Sequence, residues 1–275
     1  MSELFAVVGT PIGHSLSPRI HNAIFVHEGR DAVMGSIDPG STEGFCTLIT
    51  AADSGRYTGM AVTAPYKREA ATGAETQSDT VQATGVANTL VRTDEGWAAH
   101  NTDVPGFLTA LTALVDPLEY RTFLVFGTGG TAHSIVYALC RVGAARVSVV
   151  GREIKRTQKF CAMFADADTE VFAVATAPGK RVDCAIDATS LGFNPHDNVI
   201  FPLSWFEEYA GTVFDVAYTS EGTTKLVGQC RERGIEAIDG REMLYAQAVE
   251  QALLWGATSS REELRRVVRA AADVS

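Results

Sequence analysis

The chain has 275 residues, 46% of them apolar and 20% charged, a balance that supports a large buried core and excludes a disordered or fibrous polymer. Its formal net charge of −10 disfavours nucleic acids and acidic membrane surfaces as partners, because both reward basic surfaces. No apolar run approaches the roughly 20 residues that cross a bilayer, so no membrane span is expected.

The start, Met1-Ser2-Glu3-Leu4, has neither the basic region nor the apolar core of an export signal, and a cytoplasmic protein is expected. Cys46, Cys140, Cys161, Cys184 and Cys230 are odd in number and widely spread. Without paired ligand spacing they read as small hydrophobes, and no metal is expected.

Leu4-Phe5-Ala6-Val7-Val8, closed by Gly9, reads as a buried strand. Ser17 followed by Pro18 marks a helix start, with the hydroxyl as cap and the proline at the first helical position. Gly59-Met60-Ala61-Val62-Thr63 predicts a second strand, stopped by Pro65. Residues 86–92, then Asp94-Glu95-Gly96, then Trp97 onward predict a hairpin. A new unit begins near Val104-Pro105-Gly106, with a helix over 107–115. Thr122-Phe123-Leu124-Val125-Phe126 is a continuous apolar strand, 132–139 is helical, and Arg146-Val147-Ser148-Val149-Val150 is the next strand. The runs Cys184-Ala185-Ile186 and Thr212-Val213-Phe214 are spaced as in a parallel sheet with crossover helices. Residues 243–255 predict a helix with Leu244, Ala248, Ala252 and Trp255 on one stripe.

Gly127-Thr128-Gly129-Gly130 follows a buried strand and opens a helix, as a dinucleotide-binding turn requires. Small residues let the backbone approach a pyrophosphate, whose charge the helix N-terminus stabilises. The next strand ends in Val150-Gly151-Arg152-Glu153-Ile154-Lys155-Arg156. An acid at the strand tip would suit the ribose of NAD; here Arg152 and Arg156 suit the 2′-phosphate of NADP. Glu153 would oppose that phosphate if it pointed inward.

Reduction of a ketone by hydride needs a proton donor beside the developing alkoxide. Lys67 follows a strand end and a proline, and Asp103 follows the hairpin, so both sit at element ends where active sites collect. Spacing alone does not pair two residues so far apart. His14 reads as a hydrogen-bonded structural residue.

Gly13-His14-Ser15-Leu16-Ser17-Pro18, Val62-Thr63-Ala64-Pro65-Tyr66-Lys67, Gly85-Val86-Ala87-Asn88-Thr89 and Asn101-Thr102-Asp103 resemble, in order, the substrate-domain motifs of the shikimate dehydrogenase family. The glycine turn, Asp187-Ala188-Thr189-Ser190-Leu191-Gly192, Asp215-Val216-Ala217-Tyr218 and 240–247 resemble the later ones. The resemblance implies a substrate pocket of Ser15, Ser17, Thr63, Lys67, Asn88, Asp103, Tyr218 and Gln247. It implies Lys67 as the acid/base group, oriented by Asp103. It implies NADP contacts from Gly127, Thr128, Gly129, Gly130, Thr131, Arg152, Arg156, Thr189, Val216, Gly240 and Met243. Two positions depart from the family pattern: Ala61 stands where Asn is usual, and Gly151-Arg152-Glu153 replaces Asn-Arg-Thr.

The implied fold is α/β: a substrate-binding domain over 1–104, a Rossmann-type NADP-binding domain over 105–238, and C-terminal helices over 239–275 that return to the first domain. Hinges are expected near Pro105-Gly106 and Asp239-Gly240. The implied activity is reversible NADPH-dependent reduction of 3-dehydroshikimate to shikimate in aromatic amino acid biosynthesis. Two alternatives stay open: an enzyme acting on quinate and shikimate with NAD, and a nucleotide-binding paralogue without turnover. A homodimer is one assembly open to such a chain.

Overall fold

Two six-stranded sheets, one in each of two units, organise the chain in the computed structural model. It describes residues 2–13, 15–51, 56–175, 180–193, 197, 208, 210–219 and 222–272. The first unit is Met1–Gly106 with Tyr245–Ser275, and the second is Phe107–Leu244.

The first unit runs β1 (Glu3–Val8), α1 (Ser17–His27), β2 (Ala32–Ile37), α2 (Thr42–Thr50), β3 (Tyr57–Val62), α3 (Lys67–Thr72), β4 (Thr76–Gln77), α4 (Asp79–Thr84), β5 (Thr89–Thr93) and β6 (Gly96–His100). The sheet order is β2-β1-β3-β5-β6-β4. Strand β1 is parallel to β2 and β3, while β5 is antiparallel to both β3 and β6. The sheet is therefore mixed.

Strand β1 is apolar from Leu4 to Val8 because both its faces are covered there. Ala6 and Val8 join Phe45, Met60, Val62, Leu90 and Trp97 on one side, while Phe5 and Val7 join Phe25, Met34, Ala61 and Trp255 on the other. Ala61 thus has apolar neighbours, which an alanine suits. Ser17 proves to be the first helical residue of α1 and not its cap; Leu16 holds the cap position, one residue earlier than expected. The hydroxyl cap operates instead at α2, where Ser41 Oγ accepts from Gly44 N at 3.0 Å.

Helix α5 (Asp103–Leu111) carries the chain into the second unit. There follow β7 (Thr122–Phe126), α6 (Gly130–Arg141), β8 (Arg146–Val150), α7 (Ile154–Ala162), β9 (Glu170–Ala173), β10 (Val182–Asp187), β11 (Ala210–Asp215), α8 (Lys225–Glu232) and β12 (Glu236–Ile238). The strands are all parallel, in the order β12-β11-β10-β7-β8-β9. This is the doubly wound dinucleotide-binding order, whose topological switch lies between β7 and β10. Helix α9 (Arg241–Leu254) begins in the second unit and ends in the first, and α10 (Arg261–Ala272) packs on α1.

No described helix is long and apolar enough to cross a membrane. Cys161, Cys184 and Cys230 are buried fillers, but Cys46 is exposed and Cys140 is half-buried.

Candidate active site

The candidate substrate residues of the first unit gather at one sheet edge because of strand direction. Parallel strands β1 and β3 deliver the segments after Val8 and Val62 to the same edge. Antiparallel β5 begins there, so Asn88 stands at that edge, and β6 ends there, so Asn101, Thr102 and Asp103 follow. Lys67 is the first residue of α3, one residue past the turn closed by Tyr66 N donating to Thr63 O at 3.1 Å.

Lys67 Nζ donates to Asp103 Oδ2 at 2.6 Å, with both residues buried. The other carboxylate oxygen, Oδ1, accepts from Asn88 Nδ2 at 2.8 Å. Asn88 is itself held, since its Oδ1 accepts from Thr102 N at 2.7 Å. Gln247, on α9, is buried too, with Oε1 at 3.3 Å from Asn88 Nδ2. Both carboxylate oxygens of Asp103 are thus occupied by donors, which fixes the carboxylate and, through it, the ammonium.

Ser15 and Ser17 lie on the segment after β1; Ser15 is half-buried, and its Oγ accepts from Ser17 N at 3.3 Å. Tyr66 ties that segment to the lysine turn through a 2.7 Å hydrogen bond between its hydroxyl and Thr10 Oγ1. Thr63 is half-buried, its N–H bonded to Val8 O at 2.9 Å. Tyr218 belongs to the second unit, half-buried, with its ring edge-on to Phe193 at 5.4 Å. His14 lies outside the described residues. Asn88's partners Thr89, Thr102 and Gln251 were not anticipated. The four-residue spacing of Gln247 and Gln251, which puts two amides on one helix face, was the available signal.

The cofactor candidates cluster at the carboxyl ends of the second sheet. Gly127 follows β7 at φ +107, and a Cβ there would lie 2.8 Å from Ala188 O, so the fold itself requires glycine. Gly129 is different. It caps α6 in ordinary extended backbone, and a Cβ on it would meet nothing within 4 Å. Neither backbone nor packing demands glycine there. The room fits a pyrophosphate on the helix N–H groups of Gly130 and Thr131, beside Thr128.

At the tip of β8, Gly151 packs against Thr157 Oγ1, and Arg152 and Arg156 are exposed. Glu153 caps α7 through its backbone, its C=O accepting from Thr157 N at 3.0 Å, while its residue stays exposed. Thr189 N donates to Asp187 Oδ1 at 2.9 Å, and Val216 N to Asp187 O at 2.9 Å. Gly240 abuts the Val216 carbonyl, leaving no space for a side chain, and Met243 is buried in the first turn of α9.

Asp187 and Asp215 are in register at the ends of β10 and β11. Burial raises the Asp187 carboxyl. Burial, and then the charge of Asp187, pushes Asp215 up to about 7, against the hydrogen bonds from Thr224 and Ala217. Among the described residues no cluster of three or more His, Cys, Asp or Glu could hold a metal ion.

A family model for the shikimate dehydrogenase substrate binding domain matches residues 7–90. The shikimate dehydrogenase (NADP(+)) of a Synechocystis strain is 31% identical over 265 residues, covering 92% of this chain and 90% of that protein. The chain belongs to the shikimate dehydrogenase family. A second shikimate dehydrogenase (NADP(+)), from Maricaulis maris, is 36% identical over 244 residues, 88% of this chain and 86% of its own. Among solved structures, shikimate dehydrogenase from Aquifex aeolicus matches with a TM-score of 0.83 at 27% identity over 98% of both chains. The Thermus thermophilus enzyme, in complex with NADP(H) and shikimate, matches at 0.79 and 26% identity, over 98% of this chain and 99% of that one. The resemblance read from the motifs, and the α/β fold it implied, are borne out by shikimate dehydrogenases along nearly the whole chain.

Proposed function

We propose that the chain is a cytoplasmic shikimate dehydrogenase, reducing 3-dehydroshikimate to shikimate reversibly with NADPH for aromatic amino acid biosynthesis. The observation that carries the reading is the buried ion pair of Lys67 with Asp103, ringed by polar side chains at one sheet edge. It is supported by the family and by relatives that bear the NADP(+) name.

NADPH supplies the hydride. Lys67 gives the proton of its ammonium to the carbonyl oxygen, where reduction would build negative charge. Oxidation reverses the step, with neutral Lys67 taking the hydroxyl proton. Asp103 stabilises the ammonium and aims it, a role that its two bound oxygens prepare. The hydroxyls of Ser15 and Ser17 hold the substrate carboxylate, and Thr63, Asn88 and Gln247 meet the ring hydroxyls.

Gly127, Thr128, Gly129, Gly130 and Thr131 hold the pyrophosphate. Arg152 and Arg156 would take the 2′-phosphate, and Thr189, Val216, Gly240 and Met243 would contact the rest of the cofactor. The test crosses shikimate and quinate with NADP and NAD in an oxidation assay. The expected result is fastest turnover with shikimate and NADP; no turnover in any combination would overturn the reading.

A further inference from the structure

Behind the Asn88–Asp103–Lys67 set, on the side away from the lysine, lies a second row of buried polar groups that the proposed reaction does not use. His21 Nε2 is 3.1 Å from Gln251 Oε1. Gln251 Nε2 donates to Asn88 O and to Thr89 Oγ1, each at 3.1 Å. Thr89 Oγ1 donates to Asn88 Oδ1 at 3.0 Å. His21, Thr89, Asn88 and Gln251 are all at most 3% exposed, so water does not compete for these bonds.

The proton positions in this row follow from donor and acceptor counting. Were the Gln251 amide reversed, its oxygen would face the carbonyl oxygen of Asn88 with no proton between them. Its nitrogen would then need His21 Nε2 as acceptor, which moves the imidazole proton to Nδ1. Nδ1 is buried with no hydrogen-bond partner among the described residues, so that proton would be stranded. The arrangement that satisfies every donor has His21 donating from Nε2 and leaves only a lone pair on Nδ1. Burial, which lowers the His21 pKa to about 4, keeps that imidazole neutral.

The row therefore has a direction. Both amide protons of Gln251 are spent on Asn88 O and Thr89 Oγ1, so the Thr89 hydroxyl receives one proton and passes its own to Asn88 Oδ1 at 3.0 Å, nearer than Thr102 Oγ1 at 3.3 Å. That oxygen also accepts from Thr102 N at 2.7 Å and lies 3.2 Å from Thr102 Oγ1, so donors surround it. The Asn88 amide can then present only its N–H₂ end to Asp103. A flipped Asn88 would set oxygen against a carboxylate oxygen and leave Thr102 N–H facing another donor.

We propose that Gln251 and Thr89 are positioning residues of the active site: they fix which end of the Asn88 amide faces Asp103, and so the aim of the Asp103–Lys67 pair. The proposal rests on the shikimate dehydrogenase reading for its kinetic consequence, but its hydrogen-bond direction does not.

Two measurements test it. Thr89→Val keeps the shape and removes the hydroxyl, while Thr89→Ser keeps the hydroxyl. The valine variant is expected to raise KM for shikimate and lower kcat by about ten-fold each, at unchanged KM for NADP, and the serine variant to recover both to within about three-fold of wild type. Equal impairment of the two variants, no impairment of either, or a matching rise in KM for NADP would overturn the proposal. The ¹⁵N chemical shifts of His21 report the direction without any turnover. A protonated Nε2 with a bare Nδ1 is expected, whereas a protonated Nδ1 breaks the row at its first bond, whatever the enzyme's substrate.

Discussion

Lys67 Nζ and Asp103 Oδ2 meet at 2.6 Å although 36 residues separate them, with side chains 10% and 8% exposed. Breaking such a pair from one side leaves a charge buried without its partner, at about 3–5 kcal/mol. Asp103→Asn keeps the shape and removes the charge. It is expected to lower thermal stability and to cut kcat about 100-fold or more, measured in steady state on the folded variant. A kcat close to wild type would show that the carboxylate does not hold the ammonium for proton transfer.

Gly129 separates a demand of the fold from a demand of the ligand. A methyl there meets no protein atom within 4 Å, so Gly129→Ala is expected to cost less than about 1 kcal/mol of stability, the scale of a helix cap change. The same methyl intrudes where a pyrophosphate would approach, and NADP affinity is expected to fall at least ten-fold, about 1.4 kcal/mol. Isothermal titration and thermal unfolding on one sample read both quantities. Unchanged affinity would mean that no phosphate approaches this turn.

Arg152 stands first after Gly151 at the tip of β8, exposed. Arg152→Ala is expected to raise KM for NADPH at least ten-fold while changing KM for NADH about two-fold or less, since only the former has the 2′-phosphate. Equal losses for the two cofactors would remove the phosphate contact.

Acid should act oppositely on the two units. His21, with its folded pKa near 4 against 6.5, stays neutral in the fold while the unfolded chain takes up a proton. The first unit therefore loses up to about 3 kcal/mol as pH falls from 6.5 towards 4. Asp215 is raised from 3.8 to about 7, so between those limits the folded state holds a proton that the unfolded state has released. Its contribution is fully present below pH 3.8 and is lost as pH rises through about 7, by up to about 4 kcal/mol for the second unit. Native-state hydrogen exchange resolves the units. His21→Gln is expected to flatten the acid loss of the first unit and Asp215→Asn the alkaline loss of the second; slopes of the other sign would contradict both assignments.

Much of this was legible in the sequence, for definable reasons. Strands β7 and β8 appear at their exact bounds because each has a buried apolar core, Phe123 to Phe126 in β7 and Val147 and Val149 around a buried Ser148 in β8, as strands covered on both faces have. Strand β2 was missed: as an edge strand it buries only Met34 fully, so it shows neither a run nor a clean alternation. Helix α5 starts at Asp103, four residues before the expected start, because Pro105 falls in its first turn, where a missing N–H costs nothing.

The pairing of Lys67 with Asp103 was invisible to spacing and came only through family resemblance. Physically it depends on β3 and β6 ending at the same sheet edge, which is a matter of topology. The orientation of Asn88 lay further out of reach. It needs Thr89 beside it, Thr102 across the hairpin and Gln251 from a helix 163 residues on.

The proton-donor role of Lys67 is the centre of the account, and Lys67→Ala tests it most directly. Steady-state oxidation of shikimate by NADP is expected to show kcat reduced by about 10²–10⁴-fold with KM for shikimate nearly unchanged. Turnover near that of the wild type would contradict the assignment of the proton to Lys67.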